Sequence, residues 1–289
     1  MKRWIFLSVA GVAALAEVLT LIFPSLPLSV ADRVADLMPA SLPTPPKGFD
    51  VRREAVEHGT VETVEYDSKA AGCRRKMRVY TPPRFAKETS YPVLYLLHGS
   101  RADETNWVKE GWADAILDNL YADTKLVPMI VVMPNGNLPA AADIDVFELD
   151  LLGDIIPYVE KHYPVKADRQ HRALAGLSAG AGQALSIGLT HPETFASIGV
   201  LLGGLLDSQR FEKKHQSVLE DLGRGSKPKL LWVASGKKDM NYATCQETLR
   251  LFDKYRIPYV YVEGKGLHNW ETARNDLFVF APLLFRDLD

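Results

Sequence analysis

The chain has 289 residues, 47% of them hydrophobic and 24% charged, with a net charge of −2. That composition supplies one large core and excludes a disordered chain. Lys and Arg are scattered, which excludes a nucleic-acid-binding surface, and the short clusters Arg74-Arg75-Lys76 and Lys213-Lys214 read as solvated surface.

The N-terminus reads as a targeting segment. Lys2 and Arg3 give a positive start, residues 4–15 are apolar, and Ala14-Leu15-Ala16 has the small-x-small form of a cleavage site. A signal peptide over residues 1–16 is expected, and with it a secreted or periplasmic protein. The alternative is an uncleaved anchor, because apolar residues resume over 18–30; Glu17, Pro24 and Pro27 interrupt that stretch. A stable membrane partner is expected only in that second case. Residues 17–57 form an apolar, proline-bearing connector, with Pro39, Pro43, Pro45 and Pro46 in its second half. The folded domain is expected over 58–289.

Residues 60–66 mix β-branched side chains with charge and predict a half-exposed strand; 76–80 return as its partner after Gly72. Residues 93–97, 129–133, 172–177, 197–202, 229–234 and 258–262 are apolar runs of the kind buried parallel strands require. Helical patterns fall at 112–121, 147–163, 179–189, 244–255 and 275–285. The result is an α/β chain with a mostly parallel eight-stranded sheet and helices on both faces. An opening hairpin followed by parallel crossovers resembles the α/β-hydrolase fold.

The fifth strand runs into Gly176-Leu177-Ser178-Ala179-Gly180, and a small-residue helix follows. A serine at such a strand-turn-helix apex is held in a strained backbone conformation with its hydroxyl over the sheet edge. The flanking glycines are expected because a side chain there meets a neighbouring strand or helix. A serine hydroxyl needs a general base, and the base an orienting acid; in this fold they follow in the order Ser, Asp or Glu, His. Of seven histidines, only His215 and His268 lie well beyond the elbow helix. His215 sits in a polar stretch, whereas His268 sits in a glycine-rich loop after the last strand and is the expected base. Asp239 is the first carboxylate after the seventh strand and the expected acid; Asp207 and Glu263 are its rivals. An oxyanion hole is expected from the Ala179 N–H and the Ser100 N–H, with Arg101 as the rival to Ser100 and the His98 ring bracing that loop. Trp107 and Trp270 are candidate substrate-binding residues.

No Cys/His spacing suits a metal site, and no cofactor is expected. An oxidising compartment permits a disulfide between Cys73 and Cys245, but the expected fold sets them near opposite sheet edges.

Several further stretches carry a family likeness: Val79-Tyr80-Thr81-Pro82-Pro83, Tyr95-Leu96-Leu97-His98-Gly99, Met133-Pro134-Asn135-Gly136, Asp154-Ile155-Ile156-Pro157-Tyr158-Val159-Glu160 and Phe278-Val279-Phe280-Ala281-Pro282-Leu283-Leu284. With the elbow they resemble the putative-esterase family, and most closely carbohydrate esterase family one, the feruloyl and acetyl xylan esterases. The resemblance implies a Ser178–Asp239–His268 triad and a secreted serine carboxylesterase. Its implied substrates are acetyl or hydroxycinnamoyl esters on plant polysaccharide, or a small ester. The chain departs from the family's pattern at Ala179, where methionine is common, and in the short loop 137–146. Specificity is expected to reside in that loop and in 100–111 and 203–228. Acyl transfer, as in the similar mycolyltransferases, is the alternative within the same chemistry. A non-catalytic carbohydrate-binding protein is the alternative outside it, and the intact Ser-Asp-His set argues against that.

Overall fold

The computed structural model describes residues 44–137, 144–225 and 228–286. The expected signal peptide, most of the connector and the middle of the 137–146 loop lie outside the described residues. The folded unit is Lys47–Phe285.

Eight strands form one sheet in the order β1-β2-β4-β3-β5-β6-β7-β8. β1 (Thr60–Ser68) and β2 (Cys73–Thr81) make the antiparallel hairpin, and β2 also pairs antiparallel with β4 (Ile130–Pro134). β3 (Val93–Leu97), β4, β5 (Arg172–Leu177), β6 (Ser197–Leu201), β7 (Leu230–Gly236) and β8 (Val260–Gly264) run parallel. Every residue of β3, β4, β5, β6 and β7 is buried. Their largely apolar sequence thus reflects helices on both faces.

The helices are α1 (Asn106–Lys109), α2 (Ala113–Ala122), α3 (Ile144–Asp150), α4 (Ile156–His162), α5 (Ala179–Thr190), α6 (Ser208–Arg224), α7 (Tyr242–Tyr255) and α8 (Trp270–Phe280). α8 packs on β6 and β7, where the Phe280 ring lies 5.3 Å from that of Trp232. A side chain at Gly199 would strike that same Phe280 ring. On the opposite face α3, α4 and α5 bury Phe147, Leu151, Val159 and Ile187 against Tyr95, Val132 and Leu174. Further along that face, α6 and α7 bury Leu219, Leu222 and Phe252 against Val200 and Val233.

The expected helix at 147–163 is broken. A π-turn over Leu151–Ile155 joins α3 to α4. Pro157 has no N–H to continue the i→i−4 ladder, so the preceding turn widens. Two further expectations are corrected. Residues 208–224, read as part of a specificity loop, form α6, whose Asp207 cap accepts from the Arg210 N–H at 2.8 Å. Its long polar face hides an apolar stripe in which Phe211, Leu219 and Leu222 are buried. α8 begins at Trp270 and not at 275, because the Asn269 side chain caps the Thr272 N–H at 3.0 Å.

The domain also begins earlier than residue 58. Residues 47–57, assigned to the connector, are tied across α2 and α8. The Phe49 ring meets Phe278 edge-on at 5.0 Å, Asp50 pairs with Arg274 at 2.8 Å, and Arg53 pairs with Asp123 at 2.9 Å. The prolines that suggested a tether all precede this stretch.

Arg75 is likewise not solvated surface. It occupies an inward position of β2 beside Met77, is 9% exposed, and pairs with the buried Asp150 at 3.1 Å. Strand alternation carried that signal, and the run of basic residues obscured it. Cys73 and Cys245 are both free thiols, one exposed at the start of β2 and one buried in α7. Burial pushes the Cys245 thiol up to about 12.

Candidate active site

The C-terminal ends of β3, β5, β6, β7 and β8 converge on Ser178. Its backbone sits at φ 56°, ψ −113°, a conformation that side-chain-bearing residues rarely adopt. Two features hold it there. The Ser178 N–H donates to the Leu201 carbonyl at 2.9 Å. The turn is also closed too tightly for side chains. A Cβ on Gly176 would lie 2.2 Å from the Gly180 carbonyl oxygen, and one on Gly180 would lie 2.3 Å from that of His98. The strained φ therefore follows from packing that only glycine permits. Gly180→Ala is expected to destabilise the fold by about 3 kcal/mol, since backbone on both sides has to move. Chemical denaturation checks this; a variant as stable as the parent contradicts the packing argument.

Asp239 follows β7 with its side chain fully buried, and its Oδ1 accepts the Asn241 N–H at 2.6 Å. His268 lies in the loop between β8 and α8. Its Nδ1 is 2.9 Å from Asp239 Oδ2 and 3.1 Å from Oδ1, and its Nε2 is 3.0 Å from Ser178 Oγ. A carboxylate only accepts, so Nδ1–H donates to Asp239. That tautomer leaves the Nε2 lone pair for the Ser178 hydroxyl, which donates to it.

The rival acids are engaged elsewhere. Asp207 caps α6. Glu263 pairs with Lys237 at 2.8 Å and accepts the Tyr242 hydroxyl at 2.7 Å. Burial pushes its carboxyl up, but those two bonds outweigh it and hold the group below its ordinary range.

The loop after β3 lies directly against the elbow, and a Cβ on Gly99 would sit 3.3 Å from the Ser178 Cβ. His98 is buried beneath it. Its Nδ1–H donates to the Gly99 carbonyl at 2.8 Å, and its Nε2 accepts the Gly136 N–H at 2.8 Å. One neutral ring therefore fixes two loops. Gln183 of α5 donates to the Gly136 carbonyl at 3.1 Å, and Arg75 reaches the Asn135 and Asn137 carbonyls. Sequence reasoning missed Arg75 and Gln183 as supports of this edge. Ser100 follows Gly99 in the β3 loop, and Ala179, which is exposed, follows Ser178 at the start of α5.

The model of the esterase family, described as putative esterase, matches residues 68–283. The chain belongs to the esterase family. An endo-1,4-beta-xylanase/feruloyl esterase of Xylanibacter ruminicola is 36% identical over 175 residues, which is 56% of this chain. The aligned stretch spans only 24% of that relative's length. Two solved structures share the fold. A ferulic acid esterase from Anaeromyces mucronatus in complex with ferulic acid has a TM-score of 0.74 and 23% identity, over 84% of this chain and 96% of that one. A mutant feruloyl esterase module from Clostridium thermocellum complexed with sinapinate has a TM-score of 0.76 and 19% identity, over 86% and 95%. With the sheet order above, these place the esterase domain in the α/β-hydrolase fold.

The two tryptophans fare differently within the esterase domain. Trp107 is 1% exposed, donates its indole N–H to the Leu97 carbonyl at 2.9 Å, and packs edge-on against Trp270 at 5.3 Å. It therefore has no face for a ligand, and its expected substrate contact is corrected to a buttress under the β3 loop. Trp270 is half-buried on the other side of that contact. Among the described residues, no cluster of His, Cys, Asp and Glu could hold a metal ion, and no helix is long and apolar enough to cross a membrane.

One half-buried carboxyl lies outside the hydrogen-bonded chain. Asp276 of α8 has its Oδ2 sealed from solvent without a hydrogen-bond partner. Burial, and then the charge of Asp239, push its carboxyl well above the ordinary range. The fold thus favours the neutral form. Stability is full below the ordinary carboxylate range and is lost as pH rises through the raised value. Asp276→Asn is neutral at every pH, so its Tm is expected to fall less than the parent's as pH rises above the ordinary carboxylate range. Parallel Tm profiles for the two proteins contradict that assignment.

Proposed function

We propose that this chain is a secreted serine carboxylesterase that removes acetyl or hydroxycinnamoyl groups from plant polysaccharide. The observation that carries the reading is His268 standing between Ser178 Oγ at 3.0 Å and Asp239 at 2.9 Å. Ser178 Oγ attacks the ester carbonyl carbon while its proton passes to His268 Nε2. The carbonyl oxygen takes the negative charge and is held by the N–H groups of Ala179 and Ser100. Collapse expels the alcohol, which takes the proton from His268 and leaves an acyl group on Ser178. Water, activated by the same imidazole, then releases the acid. Asp239 keeps the tautomer and stabilises the imidazolium. The seated Nδ1–H, the elbow strain and the family membership support this sequence of steps. The exported location rests on Lys2, Arg3 and the apolar residues 4–15.

The substrate reading draws on what the similar proteins are named for. It is tested by hydrolysis of acetylated xylan and methyl ferulate, each with a Ser178→Ala control. Serine-dependent release of acetate or ferulate is the expected result. Turnover of neither, with a small aryl ester still cleaved, moves the substrate away from plant cell walls.

A further inference from the structure

The loop that borders Ser178 on the β3 side carries a feature the steps above do not use. Gly99 to Ala102 is a tight turn, closed by the Ala102 N–H on the Gly99 carbonyl at 3.4 Å. Its third residue is Arg101, at φ 61°. Glycine suits that position without strain, while an L-residue there costs about 1–2 kcal/mol.

That side chain is exposed and makes no ion pair or side-chain hydrogen bond among the described residues. The nearby acids in sequence are occupied. Asp103 accepts from the Thr105 N–H at 2.8 Å and hydroxyl at 2.6 Å, and Glu104 accepts from Asn135 at 3.0 Å. The turn that carries it is also close to the chemistry. Gly99 touches Ser178, and the Arg101 Cα lies within about 7.6 Å of the Gly99 Cα along the chain.

We propose that Arg101 is a specificity residue that selects esters carrying a carboxylate near the scissile bond, such as a uronic acid beside an esterified sugar. The inference rests on the esterase reading and adds an acidic substrate to it. A guanidinium pairs with a carboxylate through two parallel N–H bonds, which sets orientation as well as affinity.

The test compares phenyl acetate with 4-acetoxybenzoate, which differ by one carboxylate on the leaving group. Both are hydrolysed by the full chain and by its Arg101→Gln and Arg101→Lys variants. Arg101→Gln is expected to lower the acidic-to-neutral ratio of kcat/KM by about fivefold at low salt, the scale of an exposed ion pair. The change is expected in KM. Arg101→Lys keeps most of the ratio, and salt near 0.5 M removes the difference between parent and Gln variant. Binding of 4-hydroxybenzoate and phenol, followed by NMR, reads the same contrast without turnover. Loss of phenyl acetate cleavage in the parent counts against the esterase reading alone. An acidic-to-neutral ratio that Arg101→Gln leaves unchanged, in turnover or in binding, overturns the role of Arg101.

Discussion

Ser178→Ala is expected to lower turnover by about a thousandfold or more while leaving the fold intact. The separation follows from which atoms do what. The contacts that seat the elbow are backbone ones: the Ser178 N–H on Leu201, and the Ser178 carbonyl accepting the N–H groups of Ala181 at 3.0 Å and Gly182 at 3.2 Å. Alanine keeps all of them and meets the same φ of 56°. What disappears is the hydroxyl that donates to His268, and with it the atom that forms the acyl-enzyme. The residual rate reflects binding and the oxyanion donors alone. Turnover of phenyl acetate and a thermal melt, taken on one preparation, check both halves. A loss under about tenfold removes Ser178 as the nucleophile, and a collapsed melt means the side chain supports the fold.

Asp239→Asn is expected to cost about ten-thousandfold, out of proportion to a change of one atom. Asp239 offers only acceptors, so His268 presents its Nδ1–H to it and its Nε2 lone pair to Ser178. An asparagine in the same buried site can turn its amide nitrogen toward Nδ1. The imidazole then carries its proton on Nε2, facing Ser178, where it cannot take one up. The charge that balances the imidazolium is lost as well. Because Asp239 Oδ1 also accepts the Asn241 N–H, the side chain oxygen has a reason to stay on that side and leave the amide toward the ring. Glu263 cannot substitute, being held by Lys237 and Tyr242. A loss below about a hundredfold contradicts the tautomer argument.

The parts of this protein that show plainly in the sequence have one strong physical cause each. Five central strands are buried on both faces, and so appear as largely apolar runs. Ser178 is flanked by glycines because Gly180 packs on backbone at 2.3 Å. His268 and Asp239 follow from the order in which this fold delivers its residues. The parts that did not show depend on weaker or longer-range causes. α6 is polar over most of its surface, with three buried residues in seventeen positions. Arg75 is inward only because β1, β4 and α3 surround it, and a basic triplet in a linear sequence suggests the opposite. Trp107 falls in a stretch, 100–111, that reads as a loop open to substrate, yet it lies in α1, its indole N–H finds the Leu97 carbonyl and its ring finds Trp270. Residues 47–57 lack helix or strand periodicity, and their anchoring is visible only as pairs such as Phe49 with Phe278, more than two hundred residues away.

The most direct measurement is covalent labelling of the full chain with a fluorophosphonate, read by intact mass and peptide mapping. Such a probe captures a serine that an adjacent general base activates. The account predicts one label per chain, on Ser178, abolished by Ser178→Ala and strongly slowed by His268→Ala. A folded protein that takes no label, or takes it equally well without His268, contradicts a catalytic serine at this elbow.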